Sequence, residues 1–222
     1  MALRAFLFLC VPILLGLAGC GGSLDLSRNS AIVGLEEFPG SLEPPYGLDA
    51  NSQRIQHLCF ASLLSLNPDG SFSNELAESV VMQDKTTFVF TLKGGLTFSD
   101  GSALTASDIV SAYQEILSPS SASFLKGAYA IMQSIEATDR RRVVFKLKEP
   151  FAPFFMLATL GISKKLPEGG PRLASGPYEI KEVAENQRIV LEENPRWFGK
   201  HPSLERVVFK LVPDESERVL EL

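Results

Sequence analysis

Residues 17–20, Leu-Ala-Gly-Cys, carry the most recognisable chemistry in this chain. They follow Arg4, the only charge before Asp25, and the apolar residues that begin at Ala5. One cation followed by an apolar run of about 14 residues is the layout of a secretory signal. The run is shorter than the roughly 20 residues that span a bilayer. We therefore predict a signal peptide over residues 1–19 and a lipobox in which Cys20 is lipidated, for example by palmitate, and becomes the new N-terminus. An ordinary signal peptide that contains a cysteine is the alternative.

The other reactive side chains form no catalytic or metal-binding pattern. Cys59 lies at an apolar position of a predicted helix, where a buried, inert thiol is expected. His57 and His201 belong to no ligand pattern of Cys, Asp or Glu. The chain has no nucleophile elbow, phosphate-binding glycine loop, zinc spacing or paired catalytic carboxylates, since Glu192 and Glu193 would point to opposite faces of a strand. We expect no enzyme activity, no metal and no cofactor.

The charge balance also narrows the choice of partner. Without residues 1–19 the chain loses Arg4 and keeps 20 basic against 26 acidic side chains, a net charge of −6. Such a balance argues against nucleic acid or an anionic membrane surface as the partner. Residues 20–27 begin with Cys-Gly-Gly-Ser and are expected to form a flexible tether between the lipid and the fold.

Several elements are predicted to position the remaining chain. We expect strands over residues 31–35, 79–83, 86–92, 143–147, 177–183, 188–192 and 207–212, with a hairpin turn at Asp84-Lys85. Apolar residues from Ile55 to Leu66 fall at helical spacing, with Asn51 as the N-cap and a turn at residues 67–70. Thr105 and Asp108 predict a capping box for a second helix.

The later part of the chain is less regular. The cluster of Phe151, Phe154, Phe155 and Leu157 either packs a loop onto the core or, in a cleft, contacts apolar groups of a ligand. Residues 164–172 are rich in Gly and Pro and predict a surface loop. A helix is expected to begin near Asp214.

Two blocks of sequence carry a family likeness. The first includes residues 98–108, Phe-Ser-Asp-Gly-Ser-Ala-Leu-Thr-Ala-Ser-Asp, between a strand and a helix. The second combines residues 175–178, Ser-Gly-Pro-Tyr, with residues 194–197, Asn-Pro-Arg-Trp. Together they resemble the peptide/nickel class of extracellular solute-binding proteins, family five, from about residue 30 onward. The same motifs also have structural meanings, as turns and helix caps.

The resemblance implies a fold class and a domain plan. Relatives have two α/β lobes around a cleft that closes by hinge motion. The chain is thus expected to be α/β, a periplasmic-binding-protein-like first lobe of the peptide type with an inserted α/β subdomain and without the second lobe. Residues 28–50 and 172–222 would form the first lobe, and residues 51–171 the insertion. A one-sided surface predicts weak affinity for a small ligand.

The resemblance also implies candidate ligand contacts, all from loops expected to face the cleft. These residues are Phe38, Tyr46, Phe124, Leu125, Ser175 and Gly176. Leu125 occupies a place where oligopeptide-binding relatives carry a tyrosine. An equally open interpretation is that these side chains only pack their loops.

The implied function is binding of a solute, most simply an oligopeptide, for an ABC importer. The partners would be the solute, an ABC permease in the inner membrane, and the membrane that holds the lipid anchor. The protein would be exported and anchored to the cell envelope, in the periplasm or on the outer face of the cytoplasmic membrane. The alternative is a truncated or remodelled envelope lipoprotein that has no transport role. An envelope hydrolase is a third, weaker hypothesis, because no catalytic constellation is visible.

Overall fold

The computed structural model describes residues 29–166 and 171–214. The predicted signal peptide, Cys20, the tether and the C-terminal helix after Asp214 lie outside the described residues. The elements, in chain order, are β1 (Ser30–Leu35), α1 (Ala50–Cys59), β2 (Leu64–Leu66), β3 (Phe72–Asn74), β4 (Ala77–Met82), β5 (Thr87–Leu92), α2 (Ala106–Leu117), α3 (Lys126–Tyr129), β6 (Met132–Ala137), β7 (Arg142–Leu147), α4 (Phe154–Leu157), β8 (Tyr178–Ala184), β9 (Arg188–Glu193) and β10 (Arg206–Leu211).

The first sheet joins the two ends of the described chain. Its strand order is β1-β10-β9-β8, with β1 parallel to β10 and the other neighbours antiparallel. Helix α1 packs on it, and Ile55 and Cys59 share a buried core with Leu35, Ile189 and Phe209. Everything between α1 and β8 is therefore inserted into one sheet.

The second sheet lies within this insertion. Its order is β4-β5-β7-β6, and all neighbours are antiparallel. Helix α2 and the short α4 contribute to its core, where Phe145 packs edge-on against Phe90, Tyr113 and Phe154. The aromatic cluster predicted around Phe154 thus packs onto a core.

The chain passes from the first sheet to the second after α1 and returns before β8. These two crossings are hydrogen-bonded to each other. The Cys59 carbonyl accepts the amides of Ser175 at 3.2 Å and Gly176 at 2.9 Å. The Ser175 hydroxyl accepts the Ala61 amide at 3.0 Å. A Cβ on Gly176 would lie 2.7 Å from the Cys59 carbonyl carbon, so the close approach of the two crossings requires glycine here.

The structure confirms several sequence predictions and corrects others. The β4–β5 hairpin and the capping box of α2 are present. The connection of the hairpin spans residues 83–86 rather than the two predicted residues Asp84-Lys85. The N-cap of α1 is Asp49 rather than Asn51, because the Asp49 carboxylate accepts the Ser52 amide at 2.8 Å. The same helix ends at Cys59, and the residues toward Leu66 form β2 instead. By packing, α1 belongs to the first sheet, whereas the insertion was predicted to begin at residue 51.

Candidate ligand-binding groove

An apolar groove lies between the segment after β1, helix α1 and the inserted part of the chain. Its cavity volume is about 420 Å³. The apolar side chains that line it are Pro44, Leu48, Phe60, Leu66, Leu125, Ala128, Tyr129, Met156, Leu157 and Leu160. These residues are distant in sequence, so the groove forms only when the insertion folds against α1.

The rim of the groove exposes large hydrophobic side chains to solvent. Leu48 is 39% exposed, Leu66 and Met156 are each 47% exposed, and Phe124, next to the lining residue Leu125, is 84% exposed. Apolar side chains gathered around a concave surface are typical of a binding site. The shape suits an apolar group of a ligand.

The segment 43–48, here called the groove wall, is held in place by Gln56. This buried side chain donates through Nε2 to the carbonyls of Ser41 at 3.1 Å, Glu43 at 3.2 Å and Gly47 at 3.1 Å. Gly47 packs so closely that a Cβ would lie 2.0 Å from the Ser41 carbonyl oxygen. The wall is therefore a compact loop with a defined shape.

The start of α1 fixes the other end of this loop. Asp49 accepts the Gly40 amide at 3.1 Å in addition to its N-cap bond with Ser52. Burial opposes ionisation of Asp49, but the hydrogen bonds from Ser52 and Gly40 outweigh it and lower the pKa of the carboxyl. The charged form of Asp49 is the one that closes the loop.

A buried arginine ties the groove wall to α2. Arg172 lies 2.5 Å from Glu43 and forms a two-pronged pair with Glu115, at 2.8 Å and 2.5 Å. The Tyr46 hydroxyl donates to Glu115 at 3.1 Å. We call these four residues the arginine clamp. The Arg172 side chain is only 4% exposed, so the prediction that residues 164–172 lie on the surface is wrong at this position. Residues 167–170 of that predicted loop are outside the described residues.

Contacts within the clamp shift the pKa values of Glu115 and Arg172. The hydrogen bond from Arg172 lowers the pKa of Glu115 and outweighs the opposing effect of burial. Burial works against the charge on Arg172, but its bonds to Glu115 and Glu43 raise the pKa further. The Arg172 Nε has no hydrogen-bond partner among the described residues. The cluster carries one positive and two negative charges, so its net charge is −1.

The predicted contact residues lie in four separate places. Leu125 lines the groove, and Phe124 projects beside it. Phe38 is half-buried in a second depression of about 560 Å³ beside the edge strand β8, and Tyr46 belongs to the clamp. Ser175 and Gly176 are buried at the crossing between the sheets. A ligand contact for each of the six stays a prediction.

Three residues that hold the groove wall were not predicted from the sequence. Glu115 and Arg172 are far apart in the chain, and no local sequence pattern predicts that they pair. Gln56 did leave a signal, because it lies on the buried face of α1 with Ser52, Ile55 and Cys59. A glutamine on the core-facing stripe of a helix indicates a polar group with buried partners.

The side chains that could support catalysis or metal binding have structural surroundings that explain them. Cys59 is fully buried, and burial raises the pKa of its thiol. His201 lies with Nδ1 2.6 Å from a Glu193 carboxylate oxygen. Across the described ranges no group of three or more His, Cys, Asp or Glu could hold a metal ion, and no helix is long and apolar enough to cross a bilayer.

Comparison with known families decides where the chain belongs. The family described as bacterial extracellular solute-binding proteins, family 5 (middle part), matches residues 71–222, more than half of the chain. The chain belongs to this family. Its members are exported binding proteins rather than enzymes, which agrees with the resemblance drawn from the two sequence blocks.

Individual family members agree in sequence. The oligopeptide-binding protein AppA of Bacillus subtilis is 28% identical over 208 residues, which cover 86% of this chain and 38% of that protein. The probable D,D-dipeptide-binding periplasmic protein DdpA of Escherichia coli is 27% identical over 216 residues, or 88% and 42% of the two chains. The chain thus spans about two fifths of the length of these relatives.

Solved structures agree in fold. The structure of AppA from Bacillus subtilis in complex with a nonapeptide matches with a TM-score of 0.82 at 28% identity, over 87% of this chain and 42% of that one. NikZ from Campylobacter jejuni in complex with Ni(L-His) matches with a TM-score of 0.80 at 20% identity, over 88% and 42% of the two chains. The α/β solute-binding-protein fold expected from the sequence is confirmed.

Proposed function

We propose that this chain forms part of the ligand site of a peptide-binding lipoprotein that serves an ABC import system. The observation that carries the proposal is the apolar groove, which brings Leu125 and the exposed Phe124 together with Leu48 and Met156. Relatives described as oligopeptide-binding support the class of ligand. Binding, without chemistry on the ligand, is the role of the site.

The groove would take an apolar side chain of an extended peptide. A volume of about 420 Å³ is at the small end for ligand pockets, which commonly run from about 300 to 1,000 Å³. Because the groove is open, much of a peptide would stay in water, and affinity for this chain alone would be weak. We propose a first lobe formed by residues 28–50 and 172–222 together with helix α1, which packs on the first sheet, and an insertion formed by the rest of residues 51–171. A second lobe opposite would complete the enclosure.

The lipid anchor is inferred from the N-terminal sequence, and the permease from the family to which the chain belongs. Lipidation at Cys20 would hold the protein at the envelope membrane, since each buried methylene contributes about 0.8 kcal/mol and several acyl chains give lasting attachment. The ligand would then be passed to an ABC permease in the inner membrane. The net negative charge supports neither nucleic acid nor an anionic surface as the target.

Calorimetric titration with the tripeptides tri-leucine and tri-glutamate tests the proposal. Burying a leucine side chain is worth about 1.5–3 kcal/mol, so tri-leucine should bind at least about tenfold more tightly than tri-glutamate. Leu125→Ala should weaken tri-leucine binding, whereas Val183→Ala should not, because Val183 is also exposed but lies outside the groove.

Two outcomes would contradict the proposal. Equal binding of both peptides would exclude an apolar subsite. Absence of peptide binding, in the chain and in any longer form found in the cell, would favour the alternative of a remodelled lipoprotein without a transport role.

A further inference from the structure

Residues of the groove wall are tied one after another to other parts of the fold. The pairs are Glu43 with Arg172, Pro45 with Ser123, Tyr46 with Glu115, and Gly47 with Gln56. Two of the four ties depend on Arg172, because it binds Glu43 directly and holds Glu115, the acceptor of Tyr46. A single guanidinium therefore takes part, directly or through Glu115, in half of these ties.

The arrangement of Arg172 favours a geometric role over simple stabilisation. Its side chain is almost fully buried, and removing charges from water offsets most of what a buried ion pair contributes. The planar fork of arginine, however, fixes two carboxylates at once in a way that lysine cannot. Here one carboxylate comes from the groove wall and the other from α2, so the fork sets the position of one relative to the other.

We propose that Arg172 is a positioning residue that holds the groove wall against α2 and so sets the shape of the apolar site. The inference rests on the proposed function for the site itself. It predicts that loss of the fork loosens the wall without unfolding either sheet. Pro44 and Leu48, which line the groove from this wall, would then lose their fixed positions.

Amide hydrogen exchange provides a local readout that needs no ligand. The Tyr46 and Gly47 amides donate to the Glu43 carbonyl at 2.9 Å and 3.1 Å, and the Leu147 amide donates to Thr86 in the second sheet at 2.8 Å. In Arg172→Lys and Arg172→Met, exchange at Tyr46 and Gly47 should become roughly tenfold faster or more, while Leu147 is unchanged. The dissociation constant for tri-leucine should rise about fivefold or more.

Two further variants keep the result interpretable. Arg172→Met leaves the Glu43 and Glu115 carboxylates without their partner and could fail to fold for that reason alone. The triple variant Glu43→Gln, Arg172→Met, Glu115→Gln removes all three charges and so leaves no unpaired carboxylate. It should show the same faster exchange at Tyr46 and Gly47. Arg188→Met removes another arginine, paired with Glu182 on the surface, and should leave Tyr46 and Gly47 protected.

The outcomes separate the two claims. Unchanged protection at Tyr46 and Gly47 in both Arg172→Lys and the triple variant would overturn the positioning role. A faster exchange that extends equally to Leu147 would also overturn it, since the effect would then be global. Failure of the unmutated chain, and of any longer form found in the cell, to bind tri-leucine would contradict the proposed function, while the exchange rates would still decide the role of Arg172.

Discussion

Edge-to-face aromatic rings form the core of the second sheet, whereas hydrogen bonds and ion pairs hold the groove wall in place. Phe90, Tyr113 and Phe154 surround Phe145 with no solvent between them. The groove wall is held through polar atoms, by Gln56 and by the arginine clamp. We expect the core to tolerate substitutions that conserve side-chain volume. The conformation of the wall depends instead on the positions of the individual atoms that form its hydrogen bonds and ion pairs.

This difference matters for binding. Close packing makes the second sheet a rigid support. Hydrogen bonds and ion pairs fix the conformation of the wall. A binding site depends on the precise position of its groups, and these bonds provide it. We therefore expect substitutions in the core to act on the whole fold and substitutions in the wall to act locally.

The largest effect is expected in the ring core. Phe145→Ala should lower the free energy of unfolding by about 3–5 kcal/mol, because it removes a buried ring and leaves a cavity. Urea unfolding measures this change. Met82→Ala is the control, since Met82 is 63% exposed and should change stability by less than about 0.5 kcal/mol. A loss below about 1 kcal/mol for Phe145→Ala would contradict the assigned core.

A smaller but definite effect is expected in the wall. The added methyl of Gly47→Ala would meet the Ser41 carbonyl oxygen at 2.0 Å and the Gln56 Nε2 at 2.3 Å. Such overpacking costs about 1–3 kcal/mol and would break the hydrogen bonds of Gln56. Gly127→Ala is the matched control, because a methyl group added there would have no other atom within 4 Å. Equal stability of the two variants by urea unfolding would refute a tightly packed wall.

The smallest effect is expected from pH. The pKa of Glu115 is lowered in the folded chain from a usual value of 4.5. A depressed folded pKa means that its stabilisation is complete above the unfolded value and is lost as pH falls through the folded value. Between about pH 5 and pH 3, stability should therefore fall less steeply in Glu115→Gln than in the unmutated chain. The exposed Glu149→Gln is the control, and identical slopes for all three proteins would contradict the clamp.

Local sequence patterns predicted the parts of the fold that depend on neighbours in the chain. The capping box at Thr105 and Asp108 and the hairpin at Asp84 are set by residues a few positions apart, so both could be recognised. The end of α1 could not, because the Leu64–Leu66 segment continues the helical spacing but pairs with β3 instead. Tertiary pairing decided that segment.

The candidate site was less accessible to prediction for the same reason. Leu125 was identified through family resemblance, but the groove around it joins segments far apart in the chain, such as those of Leu48 and Met156. Arg172 stands in a Gly/Pro-rich stretch that is typical of a surface loop, and its burial depends on Glu43 and Glu115. Long-range charge pairing leaves no periodic signal in a single sequence.

Titration of the isotope-labelled chain with tri-leucine, followed by amide chemical shifts, tests the central claim most directly. The account predicts that the shifts cluster at groove residues, including Gly47, Leu48, Leu125 and Gly161. The depression lined by Phe38 and Val183 provides an internal comparison, because it is larger but is not the proposed site. Shifts confined to that depression, or spread evenly over both sheets, would contradict the assignment of the groove as the ligand site.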